Sequence, residues 1–314
     1  MNAVATRLVN GVLSVKPLAE FAKHQARSMM IKRAESIGVY WRDEVKQLRS
    51  RGSSLDFDPA WETELAAIAA PQLAYPDYYL ASFHAYAEGN LGWLPAMEVE
   101  SAARAVHAKL WPEGDARGDL RLRQSYHQVL QAQLSAAPQA IVDLGCSVGL
   151  DTFLLQATYP DAQITGVDLS PYFLAVAQYR QSHSTVKTQD SNFIRWVHAP
   201  AESTGLPAES ADLVSACLMF HELPQSAAIA VLHEAARLVK PGGHLALMDM
   251  NPQSEVYAQM PPYVLTLLKS TEPYLDEYFA LEIETAIVNA GFEMPTVTYN
   301  TVRHRTLIAK KQSD

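Results

Sequence analysis

The run Ile141-Val142-Asp143-Leu144-Gly145-Cys146-Ser147-Val148-Gly149 reads as an apolar strand that enters a glycine-bearing turn and then a helix. Gly145 and Gly149 omit side chains where a ligand must approach the backbone, and the helix beyond them offers free N–H groups. The next apolar run ends in Gly166-Val167-Asp168, about 20 residues further on, where a carboxylate can accept both hydroxyls of a ribose. Together these features point to an adenosine-containing ligand. Its candidate contacts are Asp143, Gly145, Cys146, Ser147, Gly149, Asp168 and Leu169. Residues 145–149 also spell Gly-x-Ser-x-Gly, the elbow that would make Ser147 the nucleophile of an α/β-hydrolase. Such an enzyme needs strands before the elbow and a His-Gly-Gly type oxyanion loop, whereas only helical patterns precede this one. A nicotinamide-binding fold is disfavoured because its third glycine pattern is missing.

A second candidate group is Cys217-Leu218-Met219-Phe220-His221-Glu222-Leu223-Pro224, at the end of the fourth apolar run. In open α/β sheets ligands sit outside the carboxyl ends of the strands, so this loop should face the reacting atoms. Leu218 would touch the nucleotide ligand, His221 could act as general base, and Glu222 is a second proton-handling group. A third group lies far upstream: Tyr75-Pro76-Asp77-Tyr78-Tyr79, Phe83-His84-Ala85-Tyr86 and Asn90-Leu91-Gly92-Trp93. Rings with polar tips in a non-periodic stretch suit a lid, with His84, Tyr86 and Trp93 against a second substrate. The loops after the fourth and fifth strands read as short, which leaves water exclusion to this stretch. Tyr126, on the helix before the first strand, is a further candidate for the cleft. The two cysteines, Cys146 and Cys217, give neither a disulfide framework nor metal-ligand spacing, so no metal is expected.

These groups need a scaffold. Up to about residue 136 the pattern is helix after helix. Asp58-Pro59 starts one helix ahead of Trp61, Leu94–Leu110 forms another, and Leu120–Ser135 a third. From Ala140, short apolar runs (Ile141–Leu144, Ile164–Val167, Phe193–Val197, Leu213–Cys217, His244–Met248) alternate with helical stretches. That is the grammar of a parallel sheet covered on both faces. Thr296–Tyr299 and Arg303–Ala309 around Asn300-Thr301 predict a closing antiparallel hairpin. The expected fold is α/β: a doubly wound, Rossmann-like seven-stranded sheet with its last hairpin antiparallel, behind an N-terminal all-helical domain. The expected domains are 1–136 and 137–314.

With Leu238-Val239-Lys240-Pro241-Gly242-Gly243-His244 before the fifth strand, residues 140–309 resemble the class I S-adenosylmethionine-dependent methyltransferases. The flavour is that of the small-molecule group that includes the ubiquinone and menaquinone C-methyltransferases. The resemblance implies S-adenosyl-L-methionine as cofactor, S-adenosyl-L-homocysteine as product, and direct displacement at the sulfonium methyl. It implies that Asp143 and Gly145 lie against the methionine portion, that Asp168 holds the ribose, and that Ala201 and Glu202 flank the adenine. It also implies a small apolar or aromatic acceptor, with quinone- and lipid-like molecules among the candidates. Two positions depart from the pattern. Ser147 replaces the middle glycine and is expected to keep a negative φ, and Pro200 stands where an aspartate is frequent. A cofactor-binding regulator without transfer activity has the same motifs.

A formal net charge of −9 gives no support for a broad nucleic-acid-binding face, and no Asn/Asp-Pro-Pro-aromatic loop follows the fourth strand. No apolar run is long enough to span a bilayer, and Met1–Ser14 lacks the apolar core of a leader peptide. A cytoplasmic protein is the expectation. Lys16, Lys23, Arg27, Lys32 and Arg33 beside Leu18, Phe21, Met29 and Met30 form a basic amphipathic stretch, a candidate for peripheral contact with an anionic membrane. Nothing in the pattern specifies an oligomeric state.

Overall fold

The computed structural model describes residues 16–84, 86–111, 114–183 and 194–312. The leader-peptide reading of Met1–Ser14 and the start of the third strand at Phe193 lie outside the described residues.

Seven strands form one sheet: β1 (Ala140–Leu144), β2 (Gln163–Asp168), β3 (Arg195–His198), β4 (Ala211–Cys217), β5 (Val239–Met250), β6 (Thr296–Tyr299) and β7 (His304–Lys310). Their order is β3-β2-β1-β4-β5-β7-β6. The first five pair in parallel, and β7 pairs antiparallel with both β5 and β6. β1 and β4 are buried along almost their whole length, because helices cover both faces of the sheet. Three of those helices are the crossovers α6 (Leu150–Thr158), α7 (Pro171–Ser182) and α8 (Gln225–Leu238). The chain winds to opposite sides of β1 toward β2 and toward β4, so a topological switch point lies at the ends of β1 and β4. Gly145 and Leu218 follow those two strands directly.

The helices before the sheet are α1 (Lys16–Ser36), α2 (Trp41–Ser50), α3 (Ala60–Ile68), α4 (Trp93–His107) and α5 (Gly118–Gln133). Asp58 Oδ1 accepts the N–H of Ala60 at 2.9 Å, which starts α3 where Asp-Pro indicated. Trp61 is fully buried among α1, α2 and α4, and that core continues into Val148, Phe173 and Val176 of the sheet half. The helix α5 packs on the sheet itself through Leu122, Tyr126 and Leu130. Tyr126 is fully buried there, its hydroxyl 2.8 Å from Ser215 Oγ and donating to the Ala246 carbonyl at 3.1 Å. It therefore lies in the core rather than in the cleft, because a buried hydroxyl needs partners and the sheet supplies them.

The connection after β5 is not short. Residues 251–295 hold α9 (Glu255–Ala258), α10 (Pro262–Thr271), α11 (Leu275–Ala280) and α12 (Ile283–Asn289). Leu275, Tyr278, Ile283 and Ile287 seal these helices onto the core shared with α8. Among the described residues no helix is long and apolar enough to cross a membrane. Of the basic stretch on α1, Arg27 turns inward and pairs with Glu98 through its Nε at 2.9 Å.

Candidate active site

The turn after β1 is set by close approach. Gly145 has φ +65°, and a Cβ there would stand 2.4 Å from Met219 Sδ. Ser147 also has a positive φ, +51°, against the expected negative value. Such a conformation costs a non-glycine residue about 1–2 kcal/mol. It is held because the Ser147 N–H donates to Asp168 Oδ2 at 2.8 Å while the Cys146 N–H donates to the Val167 carbonyl. Ser147 Oγ is buried without a hydrogen-bond partner. Among the described residues no base is bonded to it, so the hydrolase alternative finds no triad there.

Asp168 is buried, not an exposed strand-end acid. Its Oδ1 accepts the Ser170 N–H at 2.8 Å. Burial pushes its pKa up and the N–H donors of Ser170, Ser147 and Leu169 pull it down, leaving it at about 6. Asp143 faces the start of α6, where Oδ2 accepts the Thr152 hydroxyl at 2.6 Å. Burial and then the neighbouring Asp151 drive its pKa well up, so it acts as a tie beneath the turn. Gly149, φ +81°, packs against Trp196, whose ring a Cβ would meet at 2.8 Å. Leu169 is buried, and its carbonyl lies 3.1 Å from His198 Nε2. Ala201 is half-buried after β3, and beside it Glu202 accepts the Tyr78 hydroxyl at 2.7 Å through Oε1. Glu202 Oε2 is buried and unpartnered.

The aromatic stretch crosses these strand ends as a strap. Tyr75 Oη lies 3.3 Å from His198 Nε2. The Tyr79 hydroxyl lies beside the Asp168 carboxylate and helps to hold that group ionised. Ser170 Oγ donates to the Asn90 carbonyl at 2.6 Å, and Asn90 Nδ2 to Glu222 Oε2 at 3.4 Å. The expected second-substrate residues separate here. Tyr86 is buried with its hydroxyl on Glu98 at 2.7 Å. Trp93 donates to Glu62 at 3.0 Å and packs 5.5 Å from the Trp61 ring. Both are anchored in the helical core, Tyr86 on Glu98 of α4 and Trp93 between Trp61 and Tyr172, whose ring lies 5.1 Å away at the start of α7. Of the three, His84 alone reaches the loop after β4.

That loop begins with Leu218 at φ +59°, its N–H on the Met248 carbonyl at 2.8 Å. Phe220 is core. The Phe220 and His221 N–H groups both point at Asp249 Oδ2, and His221 Nδ1 lies 2.7 Å from Asp249 Oδ1. Opposite, His84 Nε2 lies 2.9 Å from Glu272 Oε1 and 3.6 Å from Glu222 Oε1. Burial lowers the His221 pKa, yet the charge and hydrogen bond of Asp249 outweigh it and carry it to about 10. For His84 burial is likewise overcome, by Glu272 and then Glu222, to about 8. Burial lifts Glu222 to about 7 against the pull of His84 and His221. Asp249 and Glu272 escape a sequence reading. An acid closing the apolar run Leu245–Met248 is a faint signal for the first, and Glu272 sits on a helix end with none.

Comparison with known proteins fits this geometry. A family model described as a methyltransferase domain matches residues 142–247. A ubiquinone biosynthesis O-methyltransferase of Xanthomonas axonopodis pv. citri is 27% identical over 191 residues, covering 59% of this chain and 76% of that one. A trans-aconitate 2-methyltransferase of Methylobacterium nodulans is 37% identical over 112 residues, covering 36% of this chain and 38% of that one. Among solved structures, a candidate O-methyltransferase of Nostoc punctiforme superposes with a TM-score of 0.54 at 17% identity, over 87% of this chain and 74% of that one.

Proposed function

The chain is a class I S-adenosylmethionine-dependent methyltransferase, and from that premise we propose that it methylates a hydroxyl oxygen of a small aromatic acceptor. The cofactor, when bound, supplies an electrophilic methyl group on a sulfonium. The residues fit it: two unpartnered buried oxygens, Ser147 Oγ and Glu202 Oε2, belong to residues on either side of Asp168 along the strand ends, and Gly145 leaves the turn open. In this reading Asp168 receives the ribose hydroxyls, Gly145, Cys146, Ser147 and Gly149 line the turn, and Leu169, Ala201 and Glu202 border the base. Residues 1–136 act as the cap on the acceptor side and 137–314 as the cofactor domain.

The observation that carries the choice of oxygen is the His221–Asp249 pair at 2.7 Å, facing His84 and Glu222 beyond the ends of β4 and β5. A neutral hydroxyl is a weak nucleophile and must lose its proton to attack the sulfonium methyl, which is what a proton-handling cluster at this end would serve. Asp249 fixes the imidazole through Nδ1 and keeps it protonated, with a pKa of about 10, so His221 would hold the acceptor oxygen through Nε2–H while Glu222, at about 7, takes the hydroxyl proton. The strap keeps water from the reacting atoms, since Tyr78 and Tyr79 cover the strand ends. The name of the Xanthomonas relative, an O-methyltransferase of ubiquinone biosynthesis, is in line with a phenolic acceptor.

The purified protein with labelled cofactor and a panel of catechols and hydroxyquinones should yield methyl ethers, identified by mass spectrometry. Products methylated on carbon or nitrogen would overturn the reading. His221→Ala should lower turnover about 10²–10³-fold through loss of a charged hydrogen-bond donor while leaving S-adenosylhomocysteine affinity within about threefold by calorimetry, because the side chain is clear of Asp168 and the glycine turn.

A further inference from the structure

The strap, the loop after β4 and the end of α10 meet at three potential ligand atoms for one cation. His84, His221 and Glu272 each bring an atom within 4.8 Å of the other two. We propose that these three residues form a divalent transition-metal site of the zinc or iron(II) kind at the acceptor end of the cleft. The proposal rests on the hydroxyl-methylation reading and supplies its proton chemistry. The His84 Nε2 to Glu272 Oε1 distance of 2.9 Å is near the edge of about 3.3 Å that tetrahedral bonds of about 2.05 Å impose. A cation would part that pair slightly and draw the third ligand in, since all three atoms already lie within 4.8 Å of one another.

Four features favour an ion over a set of ion pairs. His221 Nδ1 is held by Asp249, and among the described residues Nε2 makes no hydrogen bond. That carboxylate-backed imidazole is how proteins orient metal-binding histidines. Glu272 is 8% exposed, and its Oε2 is buried without a hydrogen-bond partner. A carboxylate oxygen in that state is costly unless a cation compensates it. Three carboxylates, Glu222, Asp249 and Glu272, surround two imidazoles, an arrangement with enough acidic groups to compensate a divalent ion. Finally, His84 holds φ +48° while its N–H donates to the Thr271 carbonyl at 3.0 Å. The strained residue is thereby stapled beside Glu272, which sets the two ligands face to face.

Two imidazoles and one carboxylate suit zinc or iron(II) better than magnesium or calcium, which prefer all-oxygen sets. Three protein ligands leave a position open for the acceptor. An ion there would lower the pKa of an acceptor hydroxyl bound at that position. Because His84 belongs to the strap, the site is complete only when the strap lies across the strand ends.

The test uses the full chain, stripped of metal by a chelator and titrated with zinc chloride against a chromophoric competitor. One zinc per chain is expected. Affinity should fall at least about 100-fold in His84→Ala and in the near-isosteric Glu272→Gln, and about 10–100-fold in Asp249→Asn. S-adenosylhomocysteine binding and circular dichroism report that each variant is folded. Cobalt(II) in place of zinc should give visible bands of four- or five-coordination. If the parent chain binds zinc no more tightly than the His84→Ala Glu272→Gln double variant, the cluster is ion pairs only and the proposal falls. Methyl-ether formation at full rate after chelation would likewise remove the ion and leave the hydroxyl reading. Zinc bound with a carbon-methylated product would remove that reading and leave the site.

Discussion

The two ends of the proposed cleft, one assigned to the cofactor and one to the acceptor, are built in opposite ways. The cofactor end is local: the turn at 145–149, Asp168 and Ser170 sit on two adjacent strands, and the decisive bonds run through backbone N–H groups. The acceptor end is assembled from four distant segments, with side chains at 84, 221–222, 249 and 272 bonding to one another. A ligand held by backbone geometry demands particular residues at fixed spacing. One held by converging side chains lets those residues come from anywhere the fold can deliver them. The first end is therefore brittle to backbone change, and the second to loss of single functional groups.

The largest effect should follow from a change that breaks the local end. Gly145→Val places a β-branched residue at φ +65° and drives its Cβ into Met219. Positive φ is a genuine outlier for such a residue. S-adenosylhomocysteine affinity should drop at least about 100-fold, through roughly 3 kcal/mol of strain, as read by calorimetry. Retained affinity would show that the turn can open without moving Met219. A smaller effect is expected for Asp168→Ala, about 1–3 kcal/mol of cofactor binding from lost charge-assisted bonds. Unlike an exposed acid, Asp168 also anchors Ser147 and Ser170, so this variant should lose thermal stability as well.

Proton dependence sharpens the same contrast. The Asp168 pKa is raised to about 6 from an ordinary value near 3.8. On the proposed role of Asp168, ribose hydroxyls donate to the ionised carboxylate, so affinity should be nearly full above about pH 7 and fall about tenfold by pH 5. Stability of the free protein runs the other way. The folded state binds the Asp168 proton more tightly than the unfolded state, so this contribution is greatest at low pH and is lost as pH rises from about 4 to 6. It amounts to at most about 3 kcal/mol. Calorimetric titrations of the parent and Asp168→Asn at pH 5 and 7.5 separate this carboxyl from Tyr79 and Glu222 nearby. An identical pH slope in both proteins would assign the effect elsewhere.

Sequence legibility follows the same division. Period and glycine spacing indicate the seven strands, the antiparallel hairpin and the α/β class, because strand burial and turn chemistry are written within a few residues. Asp168 is legible for the same reason. The sign of φ at Ser147 is not, since it depends on a bond to a carboxylate 21 residues away. Asp249 and Glu272 carry almost no local pattern. The helices at 251–295 read as a short loop because their apolar positions serve a core contributed by α8. Tyr126 and Trp93 offer rings with polar tips, and composition alone does not say whether a buried hydroxyl or indole N–H is met by sheet, helix or ligand.

The smallest expected effect on turnover and cofactor affinity comes from Tyr86, and it separates the strap's two duties. Only two residues from His84, it points the other way, with its hydroxyl on Glu98, which Arg27 also binds. Burial and then Glu98 push the phenol's pKa up, so it stays a neutral donor across the working range. Tyr86→Phe removes one hydrogen bond to a charged acceptor and leaves the ring in place. The loss should be about 1.5–3 kcal/mol at most, softened because Glu98 retains its guanidinium partner. Turnover and S-adenosylhomocysteine affinity should stay within about twofold, while denaturant unfolding moves to a lower midpoint at unchanged slope. His84→Ala should do the reverse, sparing stability and reducing turnover. A Tyr86→Phe protein with normal stability and a large loss of turnover would mean that this ring reaches the acceptor after all. The boundary between anchor and active site would then have to move past residue 86 toward α4.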